Sequence, residues 1–417
     1  MSTQPHASFR DIFRQPRSVF AVAFACVIAF MGIGLVDPIL PAIASSLDAT
    51  ATEAELLFTS YLLVTGLAML VTGLAMLVTS WISSRIGAKR TLLIGLAIIV
   101  VFAAAAGLSQ DVEQVIGFRA GWGLGNALFI STALATIVGS ASCGTASAIM
   151  LYEAALGLGI AVGPLLGGLL GSWSWRGPFF GTATLMAVGF VAILALLRKD
   201  DAPRAPMRLS APLRALRTPA LAVLAAAALF YNIGFFVLLA YTPFPLGFDA
   251  IGLGLTFFGW GVGLAITSVL VAPLLTRRMA RTSVLRLVLP LLAADLAAAG
   301  LVVRSSVGLV VCVIVGGLLL GVLNTVLTEC VMEATDHPRS VASSAYSSVR
   351  FLGGAIAPPA ATELANLFSD ATPYYAAAGS VLVALVIVVA GHRWLRRVDE
   401  APVDALEEAQ AVTAGDA

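Results

Sequence analysis

The sequence predicts an all-α polytopic membrane protein: twelve transmembrane helices in two six-helix bundles, with both termini in the cytoplasm. Three observations predict it. Of 417 residues, 59% are hydrophobic and only 11% charged, with mean hydropathy +0.97; a soluble domain carries roughly 25% charged residues. Apolar runs near the spanning length of about 20 residues occur at 18–42, 55–80, 91–108, 113–138, 147–170, 177–197, 219–242, 251–275, 283–303, 308–333, 342–366 and 374–392. The sixth and seventh are separated by RKDDAPRAPMRLSAPLRALRT, the one long interior loop, with six basic and two acidic residues and three prolines. The expected domains are therefore a cytoplasmic segment 1–17, a first bundle 18–197, a basic cytoplasmic linker 198–218, a second bundle 219–392 and an acidic cytoplasmic tail 393–417.

The polar start carries Arg10, Arg14 and Arg17 and leads into the first run without a small-residue cleavage site. That run reads as a retained helix rather than a signal peptide. The second, uncharged from Leu56 to Ser84, contains the word VTGLAML twice, at 64–70 and 71–77. As a helix it would be about 44 Å long, against a bilayer core of about 30 Å. Seven residues advance a helix by almost two turns, with a drift of about 20°, so Gly66 and Gly73 keep nearly one face. The doubled word reads as a phase-preserving tandem insertion that shifts the gate after span 2, or as a neutral lengthening.

The remaining spans are punctuated by charges, and these orient the chain. A cytoplasmic N-terminus places 20 of the 24 Lys and Arg residues in cytoplasmic tails and loops, as the positive-inside rule requires. Arg119 and Arg350 fall within helices. A net charge of +1 gives no hint of nucleic acid. Cys26, Cys143, Cys312 and Cys330 are scattered singly, and the three histidines sit in tails and loops, so neither a disulfide frame nor a metal site is expected. The tail VDEAPVDALEEAQAVTAGDA reads as a disordered, solubilising end.

The fifth span contains GLGIAVGPLLGGLLG. Gly159, Gly163, Gly167 and Gly171 recur every fourth residue and form a bare stripe along which another helix backbone can approach closely. Pro164 removes an amide donor and invites a bend. Gly159-x-x-x-Gly163-Pro164-x-x-Gly167-Gly168 resembles the helix 5 antiporter motif of the twelve-helix drug:proton antiporters of the major facilitator superfamily. Asp37-Pro-Ile-Leu-Pro41 resembles an element at the outer end of helix 1. Arg119-Ala-Gly-Trp122-Gly123-Leu-Gly125-Asn126-Ala127 resembles the helix 4 motif, with Trp122 where Gln is commoner. Trp175-Arg176-x-x-Phe179 follows helix 5 as it does in that family. After helix 2, Arg85, Gly87, Lys89 and Arg90 resemble the cytoplasmic gate signature, which departs at Ser80 for glycine and Ser84 for an acid. A latch built on that acid is then weaker or differently made.

The resemblance implies the major facilitator fold and a cavity lined by helices 1, 4, 7 and 10. It further implies a monomer in the cell (inner) membrane, immersed in the lipid bilayer, that exchanges a small molecule for protons. The proton gradient is then the energy source and no cofactor is expected. Ionisable groups inside a bilayer are costly and usually functional. Asp37 and Arg119 lie toward the same outer face and could pair, so that protonation of Asp37 releases Arg119. Glu153 and Glu329 are further proton-site candidates. Glu333 shares a face with Glu329 and, with Arg350, suggests a cytoplasmic ion pair that holds the inward gate shut. Asp295 suggests a local hydrogen-bond role. Tyr231, Asn232, Phe235, Phe236 and Tyr241 in helix 7, Asn126 in helix 4, and Asn324 and Thr328 in helix 10 are the substrate candidates. Aromatics with a few amides and hydroxyls suit lipophilic or amphipathic molecules, and the scarcity of fixed charge argues against a phosphate ester.

The expected function is proton-coupled export of such compounds, as in multidrug efflux and antibiotic resistance. An exporter of an endogenous sugar or amino acid derivative, and a non-transporting membrane sensor, are the alternatives. No nucleotide loop, nucleophile–base pair or metal set points to an enzyme.

Overall fold

The computed structural model describes residues 15–35, 39, 71, 74, 75, 78, 79, 81–83, 85–140, 142, 145–198, 210–337 and 339–400. No strand occurs among them. The first half holds α1 (Arg17–Gly34), α2 (Ala88–Leu108), α3 (Val112–Gly139), α4 (Thr145–Trp173) and α5 (Gly177–Leu196). The second holds α6 (Pro219–Phe236), α7 (Ala250–Ile266), α8 (Arg281–Leu301), α9 (Ser306–Glu333), α10 (Arg339–Leu367) and α11 (Thr372–Ala390), followed by α12 (His392–Glu400). Every predicted span except the second thus appears as a helix. Of the second, Val71, Leu74, Ala75, Val78 and Thr79 are helical, as are residues 81–83, 85 and 86 just beyond it, while Gly66, Gly73 and most of the doubled word lie outside the described residues. The first helix ends at Gly34, and its expected continuation over 40–42 also lies outside them.

Among the described residues seven helices are long and apolar enough to cross a bilayer, and α1 and α7 are shorter apolar helices. α3 and α10 are more polar because each carries an arginine and a series of Ser, Thr or Asn residues along its middle. Such helices need a protein interior rather than lipid on that side.

Lipid tails supply no hydrophobic drive between helices, so association depends on close packing at small residues. α4 applies this on two faces. A Cβ at Gly163 would stand 2.6 Å from the Met31 carbonyl oxygen, Gly159 and Gly167 meet the Val27 and Leu35 carbonyls in the same way, and Gly171 meets the Ile39 side chain. Both series advance by four, so α1 and α4 run side by side along one groove. The other face of α4 meets α7: Gly157 faces Ala265, Ala161 faces Gly261, and Gly254 would place a Cβ 2.8 Å from the Pro164 oxygen. Gly168, beside Ala250, completes this antiparallel contact. The single predicted stripe is one of two, and α4 is wedged between α1 and α7.

α2 and α3 cross at Gly95 and Gly125, each of which would drive a Cβ to within 2.9 Å of the other's carbonyl oxygen. In the second half Gly317 and Gly321 of α9 meet the backbone of Trp260 and Leu264 on α7, and Gly353 of α10 meets Leu229 on α6.

Two long spans are not continuous α-helix. Val237–Tyr241 and Thr267–Val271 are π-helical turns, each placed just before a proline, Pro243 and Pro273. Proline lacks an amide donor and clashes with the carbonyl four residues back; a wider turn absorbs that mismatch. Thr242 N accordingly bonds to Val237 O, five residues back, at 3.3 Å. The expected helices 219–242 and 251–275 are correct in place but not in regularity.

Candidate functional site

The polar centre of the second half is built around α6 and α10. Tyr231, fully buried, donates its hydroxyl to Asn324 Oδ1 on α9 at 2.6 Å. Asn232 Nδ2 donates to the Arg350 carbonyl at 2.8 Å. Thr328 Oγ1 donates to the Asn324 carbonyl in its own helix at 2.8 Å. Phe235 packs edge-on against Trp260 of α7 at 5.4 Å, and Phe236 fills the surface left bare by Gly354, one turn along α10 from Arg350. Four helices thus converge here. Tyr241 departs from this group: its hydroxyl reaches the Asp370 carbonyl at 3.2 Å, and its ring meets Tyr374 at 5.6 Å. It braces the loop before α11.

Arg350 does not pair with Glu333. It lies eleven residues into α10, about 17 Å along the axis, whereas Glu333 is the last residue of α9. The expectation started helix 11 at residue 342 and so placed Arg350 near its end; the helix begins at Arg339. The guanidinium has Tyr231, Tyr346 and, from the first half, Tyr152 as its electrostatic neighbours. Tyr346, four residues before Arg350 on one helical face, is a site residue that the spacing could have revealed.

Glu329 also lies in a different setting from the expected one. Arg281 Nε reaches Glu329 Oε2 at 3.5 Å while Arg281 Nη1 donates to the Val398 carbonyl at 3.0 Å. Asp399 accepts from Thr282 N at 3.0 Å and from Thr282 Oγ1 at 2.5 Å, and the Arg397 guanidinium pairs with the Asp336 carboxylate. Leu395 and Val398 are fully buried. The helix α12, whose last three residues open the expected disordered tail, is therefore docked on the ends of α8 and α9 with Arg281 as its pivot. The Arg397 guanidinium holds the exposed Asp336 carboxyl below its ordinary range, by hydrogen bonding first and charge second.

In the first half, Arg119 is buried with its guanidinium 5.6 Å from the Trp122 ring centre. Trp122 meets Phe179 edge-on at 6.3 Å and covers Gly32 of α1. Asn126 Oδ1 is buried without a hydrogen-bond partner among the described residues. Asp37, the expected partner of Arg119, lies outside the described residues; so does the side chain of Glu153, whose backbone belongs to α4. Arg176 stacks on Trp175 at 4.3 Å and donates to Ser109 O at 2.9 Å, tying the α4–α5 turn to the end of α2.

At the other end of the bundle Gly87 has φ +86°, in a region that residues with a Cβ avoid. This glycine makes the turn into α2. Lys89 Nζ donates to the Leu194 carbonyl at 2.9 Å and also to Leu197 O, capping the C-terminus of α5, where a cation is favoured. Arg85 is exposed and lies over Trp81 at 4.7 Å, and Arg90 is exposed. The described cysteines Cys26, Cys312 and Cys330 are buried singly, and no metal-binding cluster occurs among the described residues.

Long apolar helices closed on glycine stripes around a polar centre define a multi-pass membrane protein that keeps polar groups inside the bilayer. Residues 22–358 match the model of the Major Facilitator Superfamily, and the chain belongs to that family. It is a multi-pass protein of the cell membrane. It is 51% identical over 384 residues to the multidrug efflux protein YfmO of Bacillus subtilis, covering 92% of this chain and 95% of that one. A tetracenomycin C resistance and export protein of Streptomyces glaucescens is 28% identical over 217 residues, 49% of this chain and 39% of its own. Among solved structures, a D-xylose–proton symporter superposes with a TM-score of 0.75 at 12% identity, over 89% of this chain and 96% of that one. The human transporter MFSD10 does so with a TM-score of 0.70 at 18% identity, over 89% and 99%. At those identities the likeness establishes the fold.

Proposed function

We propose that the protein is a proton-coupled antiporter that exports small amphipathic or lipophilic compounds, with drug efflux as its activity. The observation that carries this reading is the 51% identity to a multidrug efflux protein along nearly both whole chains. The reading takes 18–197 and 219–392 as the two bundles, with both termini cytoplasmic and one copy acting alone. In that orientation α4 and α7 pack together from the outer end to the middle of the membrane, and the reading takes this seam as the outer closure, with substrate entering from the cytoplasm. Rocking of the bundles about it would expose the site alternately.

In this reading Asp37 and Arg119 form the coupling pair, Glu153 is a second proton site, and Arg85, Gly87, Lys89 and Arg90 shape the cytoplasmic gate. Asn126, Tyr231, Asn232, Phe235, Phe236, Asn324 and Thr328 form the substrate surface. Protons supply the energy and no cofactor takes part. Two measurements test it together: a drug-susceptibility panel in a pump-deficient host, and substrate-dependent proton movement in proteoliposomes. Export of at least one lipophilic compound with counterflow of protons is expected, and Asp37→Asn should abolish it while the protein stays in the membrane. Full resistance in that variant would refute the coupling role; a wild type that moves neither protons nor drug would refute the whole reading.

A further inference from the structure

Arg350 is a half-buried cation eleven residues into α10, among hydroxyl groups. Its neighbours Tyr231, Tyr346 and Tyr152 come from three helices. None of the described residues offers it a carboxylate: the described ion pairs are Arg281 with Glu329 and Arg397 with Asp336. Arg350 Nε and the Tyr346 hydroxyl are both buried and make no hydrogen bond of good geometry to a described residue, although Tyr346 and Tyr231 stand near enough to the guanidinium to interact with it as polar neighbours. Tyr231 has its donor committed to Asn324, so what it turns toward the guanidinium is acceptor density, a dipole and not a charge.

A half-buried cation with no carboxylate among its described neighbours is costly to hold, and a single opposite charge of good geometry offsets much of that cost. The guanidinium fork is planar and presents its N–H donors in pairs, a shape that matches a carboxylate or sulfonate. One turn farther along α10, Phe236 lies against Gly354, and Phe235 and Trp260 continue the aromatic wall. A fixed cation at one end and aromatic rings at the other suit an amphiphile with an anionic head.

We propose that Arg350, with Tyr346 and Tyr231, is an anion-recognition subsite, and that the compounds exported include aromatic carboxylates or sulfonates. This rests on the efflux reading for its transport consequence, but its binding consequence stands alone. It is compatible with the expectation that scarce fixed charge argues against a phosphate ester: one arginine suits a singly charged carboxylate or sulfonate.

The test uses the full-length protein in nanodiscs and two dyes that share a xanthene core, anionic fluorescein and cationic rhodamine 6G. Binding is followed by fluorescence anisotropy. Loss of one charge-assisted contact corresponds to roughly 10- to 100-fold in affinity. Arg350→Gln should weaken fluorescein by that amount and shift the fluorescein-to-rhodamine affinity ratio at least tenfold. Arg350→Lys should restore part of the ratio, and Tyr346→Phe should shift it in the same direction by less. Equal changes for both dyes, or no binding of fluorescein by the wild type, would overturn the subsite. If Arg350→Gln does not fold, the ratios of the Lys and Phe variants decide the matter on the same criterion. A wild type that binds the dyes but moves neither across proteoliposomes overturns the efflux reading instead, and the binding ratio still decides the subsite.

Discussion

Gly163 of α4 meets Met31 of α1 backbone to backbone, so that a single methyl group would stand 2.6 Å from a carbonyl oxygen. Glycine is needed here for space, since no side-chain rotation can move a carbonyl in a helix. Gly163→Val should therefore separate α1 from α4, at a cost of about 1–3 kcal/mol from overpacking. Thermal unfolding of the purified protein in detergent should show a lowered midpoint.

At Gly87 the requirement is different. A Cβ there meets nothing within 4 Å, but φ is +86°, and holding any other residue in that region costs about 1–3 kcal/mol. Gly87→Ala should destabilise the turn into α2 although no contact is violated. Equal stability of Gly87→Ala and wild type in the same unfolding assay would contradict this.

The Tyr231–Asn324 hydrogen bond couples α6 to α9. Tyr231→Phe removes a net contribution of about 1 kcal/mol. Combined with Asn324→Ala in a double-mutant cycle, it should give a coupling energy of about 0.5–3 kcal/mol. A coupling near zero would mean that the two residues act independently.

Arg281 joins α12 to Glu329. Removing it leaves the Glu329 carboxylate and the Val398 carbonyl unpaired, so Arg281→Ala should cost about 1.5–3 kcal/mol. Protease cleavage near residue 391 should accelerate, because the docked helix then opens more often.

The Asp336–Arg397 pair sets the acid limit of the same dock. Because the folded-state carboxyl is held below its ordinary 3.8, its contribution is present above that value and is lost as pH falls through the folded-state value. Docking of α12, followed by hydrogen exchange across 392–398, should be constant from about pH 7 to pH 5 and loosen below about pH 4. Asp336→Asn should diminish that acid transition, leaving the part carried by Asp399 and Glu329.

Much of the fold was legible because a bilayer allows little choice. Span length, the basic linker and the charge asymmetry place the helices to within a few residues, and the four-residue glycine period declares a packing face. The same period concealed the second stripe, because Gly157, Ala161, Pro164 and Gly168 mix residue types and only a partner on that side makes them a unit. The two π-helical turns were signalled by Pro243 and Pro273 but could not be told from ordinary kinks.

Partners were the least legible. Sequence distance puts Glu329 beside Glu333 and leaves Arg281 and Asp399 unrelated; folding brings Arg281 to Glu329 and Thr282 to Asp399. The sequence by itself determined that the chain is a many-helix membrane protein, since hydropathy and charge act on each segment independently. Only the tertiary structure decided that Arg350 has tyrosines and no acid among its described neighbours, because a long-range ion pair depends on depth and rotation of two helices, and those are set by packing.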